Sequence, residues 1–412
     1  MSSAPRIQAV YRVRCPADAI EARARAIATE QSVEMPLAAI TDAWIRDEIV
    51  ARVEDIAAES PLPRGGRASA GASPTDAGPP ASAGGPGGPA AGQSGEAAAE
   101  AGGPPAWRVT LSLDLRTTGL EPGQLMNMLF GNTSLQPDVE LVDAQLPAPL
   151  LDALPGPAFG VDGLRRLAGA PRRVLTCTAL KPQGLPPQRL AALAGSFARA
   201  GIDFIKDDHG IADQDYAPFA QRVALVQRAV AQANAETGGS TVYAPSLSGG
   251  ARRLERQLQA ARDEGVRCVL ACPLLIGVGS FAELVRADGD LAILAHPALA
   301  GAARIAPPLL LGRLLRLFGA DATIFPNFGG RFSYDRTTCL AIAAAAREPL
   351  GRHLPTVPVP AGGMSVDRVE EMVDEFGTDL MLLIGGNLLE AGEAKPQRAR
   401  EFVERVRRAG AG

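Results

Sequence analysis

The stretch RRVLTCTALKPQGLPPQRLAALAGSFARAGIDFIKDDHG, residues 172–210, switches its period twice. RRVLTCTAL is a short apolar, β-branched run. PPQRLAALAGSFARA repeats apolar residues at helical spacing, and IDFIKDD returns to a strand. Strand, helix and strand in so short a span predict a βαβ unit with parallel strands and a right-handed crossover. The alternation then continues down the chain. STVYAPSL (240–247) precedes ARRLERQLQAARDEG, VRCVLACP (266–273) precedes SFAELVRADG, and LAILAHPAL (291–299) precedes PPLLLGRLLRLFG. ATIFPNF (322–328), TVPVPAGG (356–363) and LMLLIGG (380–386) each lead into a further helical segment. Eight such pairs predict a closed (β/α)8 TIM barrel over residues 151–412. A doubly wound open sheet is the competing arrangement, but no Gly-rich dinucleotide fingerprint follows the first strand.

Residues 1–150 read differently. IQAVYRVRC and WRVTLSLDL are strands, and PADAIEARARAIATEQS and GQLMNMLFGN are helices. Between them, Pro63 to Ala106 contains no Val, Ile, Leu, Met, Phe, Tyr or Trp. Such a Gly, Pro, Ala and Ser tract has too little apolar surface to offset the entropy of ordering, so a disordered insertion over 63–106 is expected. Strands and helices on both sides predict one small α+β domain of ferredoxin-like type, since two separate halves would each lack a core.

With 412 residues, 46% of them hydrophobic, the chain has material for a large core. A net charge of −4 leaves no basic footprint for nucleic acid. No apolar run reaches the roughly 18 residues of a membrane span, and the N-terminus lacks the apolar centre of a secretory signal. A cytoplasmic protein is expected. Cys268 and Cys272 fall in a strand and not in a metal knuckle.

Barrel chemistry sits at the C-terminal ends of the strands. Those ends carry Lys181, then Lys206, Asp207, Asp208 and His209, then His296, then Asn327 and Arg331, then Gly362 and Gly363, then Gly385 and Gly386. Glycine pairs after the last two strands let backbone N–H groups approach a phosphate, although each pair alone equally makes a tight turn. Strand alternation puts Lys206 and Asp208 on one face and Asp207 on the other. Lys206 beside carboxylates is either a structural ion pair or, if carbon dioxide converts its amine to a carbamate, an oxygen donor to a hard divalent metal together with Asp208 and His209. His296 is either a site residue or a packed strand-end histidine.

GIDFIKDDHG, with TCTALKPQGL upstream, resembles the RuBisCO large-subunit superfamily, in particular its RuBisCO-like (form IV) branch. IEARARAIATEQSVE, LMNMLFGN, LAHPALAG, FPNFGGRFSYDRTTC, PAGGMS and LLIGGNLL resemble further blocks in the same order. The resemblance implies that carbamylated Lys206 and Asp208 bind Mg2+, that Lys181 handles protons on the substrate carbon, and that His296 is an active-site residue. It further implies that the four glycines bind phosphate, that Arg331 takes the place of the mobile-loop lysine, and that Glu30 and Asn127 reach into the site of a partner in a homodimer.

Several positions depart from the carboxylase pattern. His209 replaces a glutamate ligand, Pro297 an arginine for the second phosphate, and Gln183 a lysine. ATIFPNF lacks a phosphate-binding histidine, and SVEMPL follows Glu30 without the usual phosphate contacts. An arginine that grips phosphate through two N–H groups is not replaced by proline, and although each change alone is tolerable, together with Arg331 in the mobile-loop lysine's place they predict no ribulose-bisphosphate carboxylation. A metal, proton-transfer lysines and one phosphate site remain, which suits an enediolate or enolate of a phosphorylated ketose. The expected reaction is decarboxylation of a 3-keto sugar-acid monophosphate such as 3-oxo-isoapionate 4-phosphate. The alternative is isomerisation or enolisation of a methylthio-pentulose phosphate. A reading of another class is a catalytically silent homologue with a binding role.

Overall fold

The computed structural model describes residues 4–59, 103–287, 289–330 and 334–410. Most of the expected insertion, and Arg331, lie outside the described residues. Its upper boundary shortens, because Ala106 already opens a strand.

Four strands form an antiparallel sheet near the N-terminus: β1 (Arg6–Arg14), β2 (Arg52–Ala58), β3 (Ala106–Asp114) and β4 (Val139–Gln145). Their spatial order is β2-β3-β1-β4. Helices Ile20–Glu30 and Pro122–Phe130 fall between β1 and β2 and between β3 and β4. The alternation in β1 buries Ile7, Ala9, Tyr11 and Val13, and the Tyr11 hydroxyl donates to the Leu129 carbonyl at 2.6 Å. Pro122 begins its helix where no N–H partner is needed, and the Glu121 carboxylate caps the N–H groups of Gly123 and Gln124. β4 is tied to the rest of the chain through Leu141, whose N–H and C=O bond Arg304 and Ala306.

Eight parallel strands follow: β5 (Leu175–Leu180), β6 (Phe204–Asp207), β7 (Val242–Ala244), β8 (Cys268–Ala271), β9 (Ala292–Ala295), β10 (Ala322–Pro326), β11 (Val357–Ala361) and β12 (Met381–Leu383). They pair in two sheets, β12-β5-β6-β7 and β11-β10-β9-β8. A single parallel bridge between Ser246 and Leu270 joins the two at β7 and β8, and β11 lies against β12.

Side-chain parity organises this region. Every second residue of all eight strands enters one apolar cluster: Leu175 and Cys177, Phe204, Val242 and Ala244, Cys268 and Leu270, Ala292 and Leu294, Ala322 and Ile324, Val357 and Val359, Met381 and Leu383. Val161, Leu164, Ala168 and Ala170, from the helix Gly160–Leu167 and the turn after it, join that cluster at the N-terminal ends of the strands. Asp321 fixes that helix by accepting N–H groups of Phe159 and Gly160 at 2.6 and 3.0 Å, and it also accepts Ile293 N–H at 2.9 Å. The alternate residues of the strands face the flanking helices in a second, larger cluster. Two apolar faces explain why the strands read as continuous hydrophobic runs.

Candidate active site

Continuing the inward series past each strand end gives the polar residues. From Leu175, Cys177 and Ala179 the next is Lys181, and from Phe204 and Lys206 it is Asp208. Ala292 and Leu294 lead to His296, Val359 and Ala361 to Gly363, and Leu383 to Gly385. These residues line one cavity of about 850 Å3. Among the site residues expected from the sequence, it collects Lys181, Lys206, Asp208, His209, His296, Gly362, Gly363, Gly385 and Gly386.

Its charged side belongs to β5 and β6. Lys181 Nζ lies 2.7 Å from Asp208 Oδ1, and His209 Nδ1 lies 3.6 Å from the same oxygen. Burial pushes the Asp208 carboxyl up, but the hydrogen bonds from His209 and Lys181 and the charges of Lys206 and Lys181 outweigh it. They hold the carboxyl well below the usual carboxylate range. Lys206 is 3% exposed, and its amine donates to the Asp207 carbonyl at 3.0 Å. Burial lowers its pKa from the ordinary lysine value. Gln183, in the loop after β5, reaches over Gly210, where a Cβ would lie 1.7 Å from Gln183 Nε2.

His296 stacks on His209 across the mouth, with ring centroids 4.0 Å apart and planes 14° apart. Burial, followed by the charge of Lys206, drives the His296 pKa down to about 2, so the ring is neutral. Its Nδ1 accepts Ala298 N–H at 3.2 Å, which leaves the ring proton on Nε2 as a donor.

The remaining walls carry no cationic side chain among the described residues. Pro297 and Ala298 after β9, with Ile324 and Pro326 of β10, make an apolar side. The glycine side exposes backbone at Gly362, Gly363, Gly385 and Gly386, with Ser365, Asn387 and Glu390 in the same lining. Gly362 and Gly363 have φ of +77° and +67°, values that a side chain opposes. A Cβ on Gly363 would lie 2.3 Å from the Gly330 Cα, so the two loops meet backbone to backbone. A Cβ on Gly385 would lie 3.9 Å from the Lys181 Cε, which sets this glycine beside the amine. Asn327, wholly buried between the two sides, donates to the sulfurs of Met364 and Met372, and its Oδ1 has no partner.

A ribulose bisphosphate carboxylase large chain catalytic domain model matches residues 160–324. The chain is 47% identical to ribulose bisphosphate carboxylase-like protein 1 of Rhodopseudomonas palustris, over 98% of this chain and 99% of that protein. This chain belongs to the RuBisCO large-subunit superfamily, on its RuBisCO-like branch. It is also 47% identical, over 97% of its length and 96% of the relative's, to a Rhodospirillum rubrum protein named 5-methylthioribulose-1-phosphate isomerase. The crystal structure of a RuBisCO-like protein from Rhodopseudomonas palustris superposes with a TM-score of 0.83, at 45% identity and 98% coverage of both chains.

The two residues that the resemblance sends into a partner's site do not line the cavity of their own chain. Glu30 accepts from Asn132 Nδ2 at 3.0 Å, and exposed Asn127 donates to Gln124 at 3.3 Å, both on the N-terminal sheet and helices. The third histidine, His353, lies outside the cavity and meets the Leu151 carbonyl at 2.7 Å. Among the described residues, no three His, Cys, Asp or Glu side chains form a metal-holding group. The Asp208 carboxylate, the His209 imidazole and Lys206 are adjacent donors at the mouth, and His296 and Glu390 line the same cavity.

One signal in the sequence went unread. The 412 residues contain only three lysines, Lys181, Lys206 and Lys395. Arginine serves nearly every ion pair on the surface, and two of the three amines stand in the cavity. Lysine, unlike arginine, can lose its proton when buried, so its scarcity draws attention to these two positions.

Proposed function

We propose that this protein is a sugar-phosphate isomerase that moves a proton between carbons of a ketose monophosphate through an enediolate. Its substrate is of the 5-methylthioribulose-1-phosphate class. The observation that carries this reading is the division of one cavity into a charged side, a glycine side and an apolar side. A monophosphate fits the open backbone at Gly362, Gly363, Gly385 and Gly386, and an uncharged tail fits Pro297, Ala298, Ile324 and Pro326. The carbonyl carbons then lie between Lys181, Lys206 and His296. The relative named as an isomerase supports the same reading. Decarboxylation, expected from the sequence, has less behind it. Neither of the two relatives is named for it, and the apolar side offers a second anionic group no cation.

The residues divide the work as follows. Lys206, whose burial disfavours its ammonium form, takes the proton from the substrate carbon as a neutral amine or as its carbamate. Lys181, paired with Asp208 at 2.7 Å, returns a proton to the neighbouring carbon, so the balance is one proton out and one in. The Nε2 proton of neutral His296 hydrogen-bonds the developing oxyanion. A carbamylated Lys206 and Asp208 would offer Mg2+ oxygen donors, His209 would add a nitrogen that relaxes the preference for that ion, and a metal held there would supply a Lewis acid for the carbonyl oxygen.

The two strand sets are read as one (β/α)8 barrel closed between β11 and β12, carrying a ferredoxin-like domain over residues 1–150. The assembly is read as a cytoplasmic homodimer in which Glu30 and Asn127 complete the partner's cavity. Mixing inactive Glu30→Gln and Lys181→Ala proteins tests this: activity regained on mixing supports shared sites, and none regained refutes them.

The deciding experiment follows ketose monophosphates by NMR in D2O with Mg2+ and bicarbonate. Deuterium entering the product with the carbon count unchanged supports the isomerase. Loss of a carboxyl carbon reinstates the decarboxylase. No exchange with any substrate favours the silent homologue.

A further inference from the structure

Asp207 and Asp208 are neighbours in sequence with opposite surroundings. Alternation along β6 sends Asp208 into the cavity and Asp207 outward, into a fully buried space between β6, β7 and the helix Phe219–Thr237. There the Asp207 carboxylate accepts three hydrogen bonds, from Arg222 Nε at 3.0 Å, from the Tyr243 hydroxyl at 2.8 Å and from the Ser246 backbone N–H at 3.1 Å. Arg222 is itself wholly buried. It donates to the Ala217 carbonyl at 2.7 Å and lies over the Phe219 ring.

Two further contacts connect this network to the cavity. The Asp207 carbonyl accepts the Lys206 amine. Ser246, which donates to the carboxylate, is the residue whose bridge to Leu270 joins the two strand sets. Lys181, Lys206, Asp208 and His209 stand on one set and His296 on the other, so the alignment of the site across the cavity depends on that seam. A buried ion pair is a poor stabiliser compared with apolar residues of the same volume. Its presence beside the seam calls for a geometric reason.

We infer that Asp207 is a positioning residue: anchored by Arg222, Tyr243 and Ser246, it fixes the end of β6 so that the Lys206 amine and the Asp208 carboxylate face Lys181 and His296. The effect on turnover rests on the isomerase reading, whereas the effect on the amine does not.

The test uses the full-length protein and its three lysines. Cyanate in bicarbonate-free buffer carbamoylates amines, and peptide mass spectrometry gives labelling at Lys206 relative to Lys395, with no substrate needed. Asp207→Asn should lower this ratio about tenfold and turnover about 100-fold, the scale of a 1 Å misplacement, with KM unchanged. Tyr243→Phe keeps the ion pair intact and should move both in the same direction by a smaller factor, which preserves the test if Asp207→Asn fails to fold. Folded variants that label Lys206 at the native ratio overturn the inference, whatever their turnover. If the native protein turns over none of the ketose phosphates, the labelling ratio alone decides.

Discussion

The two sides of the cavity are built by opposite means. On β5 and β6 the wall is made of side chains, each with a named partner: Lys181 with Asp208, Asp208 with His209, and Lys206 with a backbone carbonyl. At the ends of β11 and β12 the wall includes glycines, and the backbone of Gly363 touches that of Gly330. The first kind of site tolerates movement as long as charges stay paired. The second tolerates no added atom at Gly363, because the contact is already closed.

Four substitutions separate these cases. The largest effect should come from Lys206→Ala, with turnover falling about 10²- to 10⁴-fold, the usual contribution of a positioned acid–base group. Unchanged turnover in a steady-state assay would sink the enolate chemistry altogether. Ile324→Lys places a cation on the apolar side and should raise KM for a methylthio substrate about 10- to 200-fold. A substrate with a second phosphate in place of the thioether should lose less, and equal losses would mean that this wall does not read the tail. Gly363→Ala combines a positive φ with a backbone clash and should cost about 1–3 kcal/mol in stability, read as a lower midpoint in urea. Its KM for the monophosphate should also rise. Gly386→Ala, where a Cβ meets nothing within 4 Å, is the control and should keep native stability.

The smallest effect is a pH dependence. The Asp208 carboxyl is held below its unfolded value, so its contribution to stability is present above the unfolded pKa of about 3.9. It is lost only as pH falls through the lower folded value. The midpoint difference between native protein and Asp208→Asn should therefore be constant from pH 5 to 8 and close in stronger acid. A difference that closes near pH 6 would mean that the carboxylate is not paired as described.

The eight strand and helix units were legible because period 2 and period 3.6 alternate without interruption from residue 172 onward. The inward direction of Lys206 and Asp208 followed from alternation alone. Strands Arg52–Ala58 and Val139–Gln145 were not foreseen. They lie at the two edges of their sheet and mix charged with apolar residues, so their pattern competes with that of a loop. The apolar side was half visible in Pro297, but Ile324 reads as ordinary core until the end of β10 is known. The anchors of Asp207 lie 15 and 36 residues away, and no local pattern marks them. Glu30 and Asn127 were assigned by resemblance, and a single chain gives them no place at its own cavity.

The scarcity of lysine has a consequence for how this molecule ages. Reactive aldehydes and isocyanates seek primary amines, and most proteins spread that damage over a surface of dispensable lysines. Here Lys395 is the one lysine of this sequence outside the cavity. Lys181 is the more accessible of the cavity pair, with 40% of its side chain exposed. On the isomerase reading proposed above, chemical wear at that amine registers as lost turnover before it registers as unfolding.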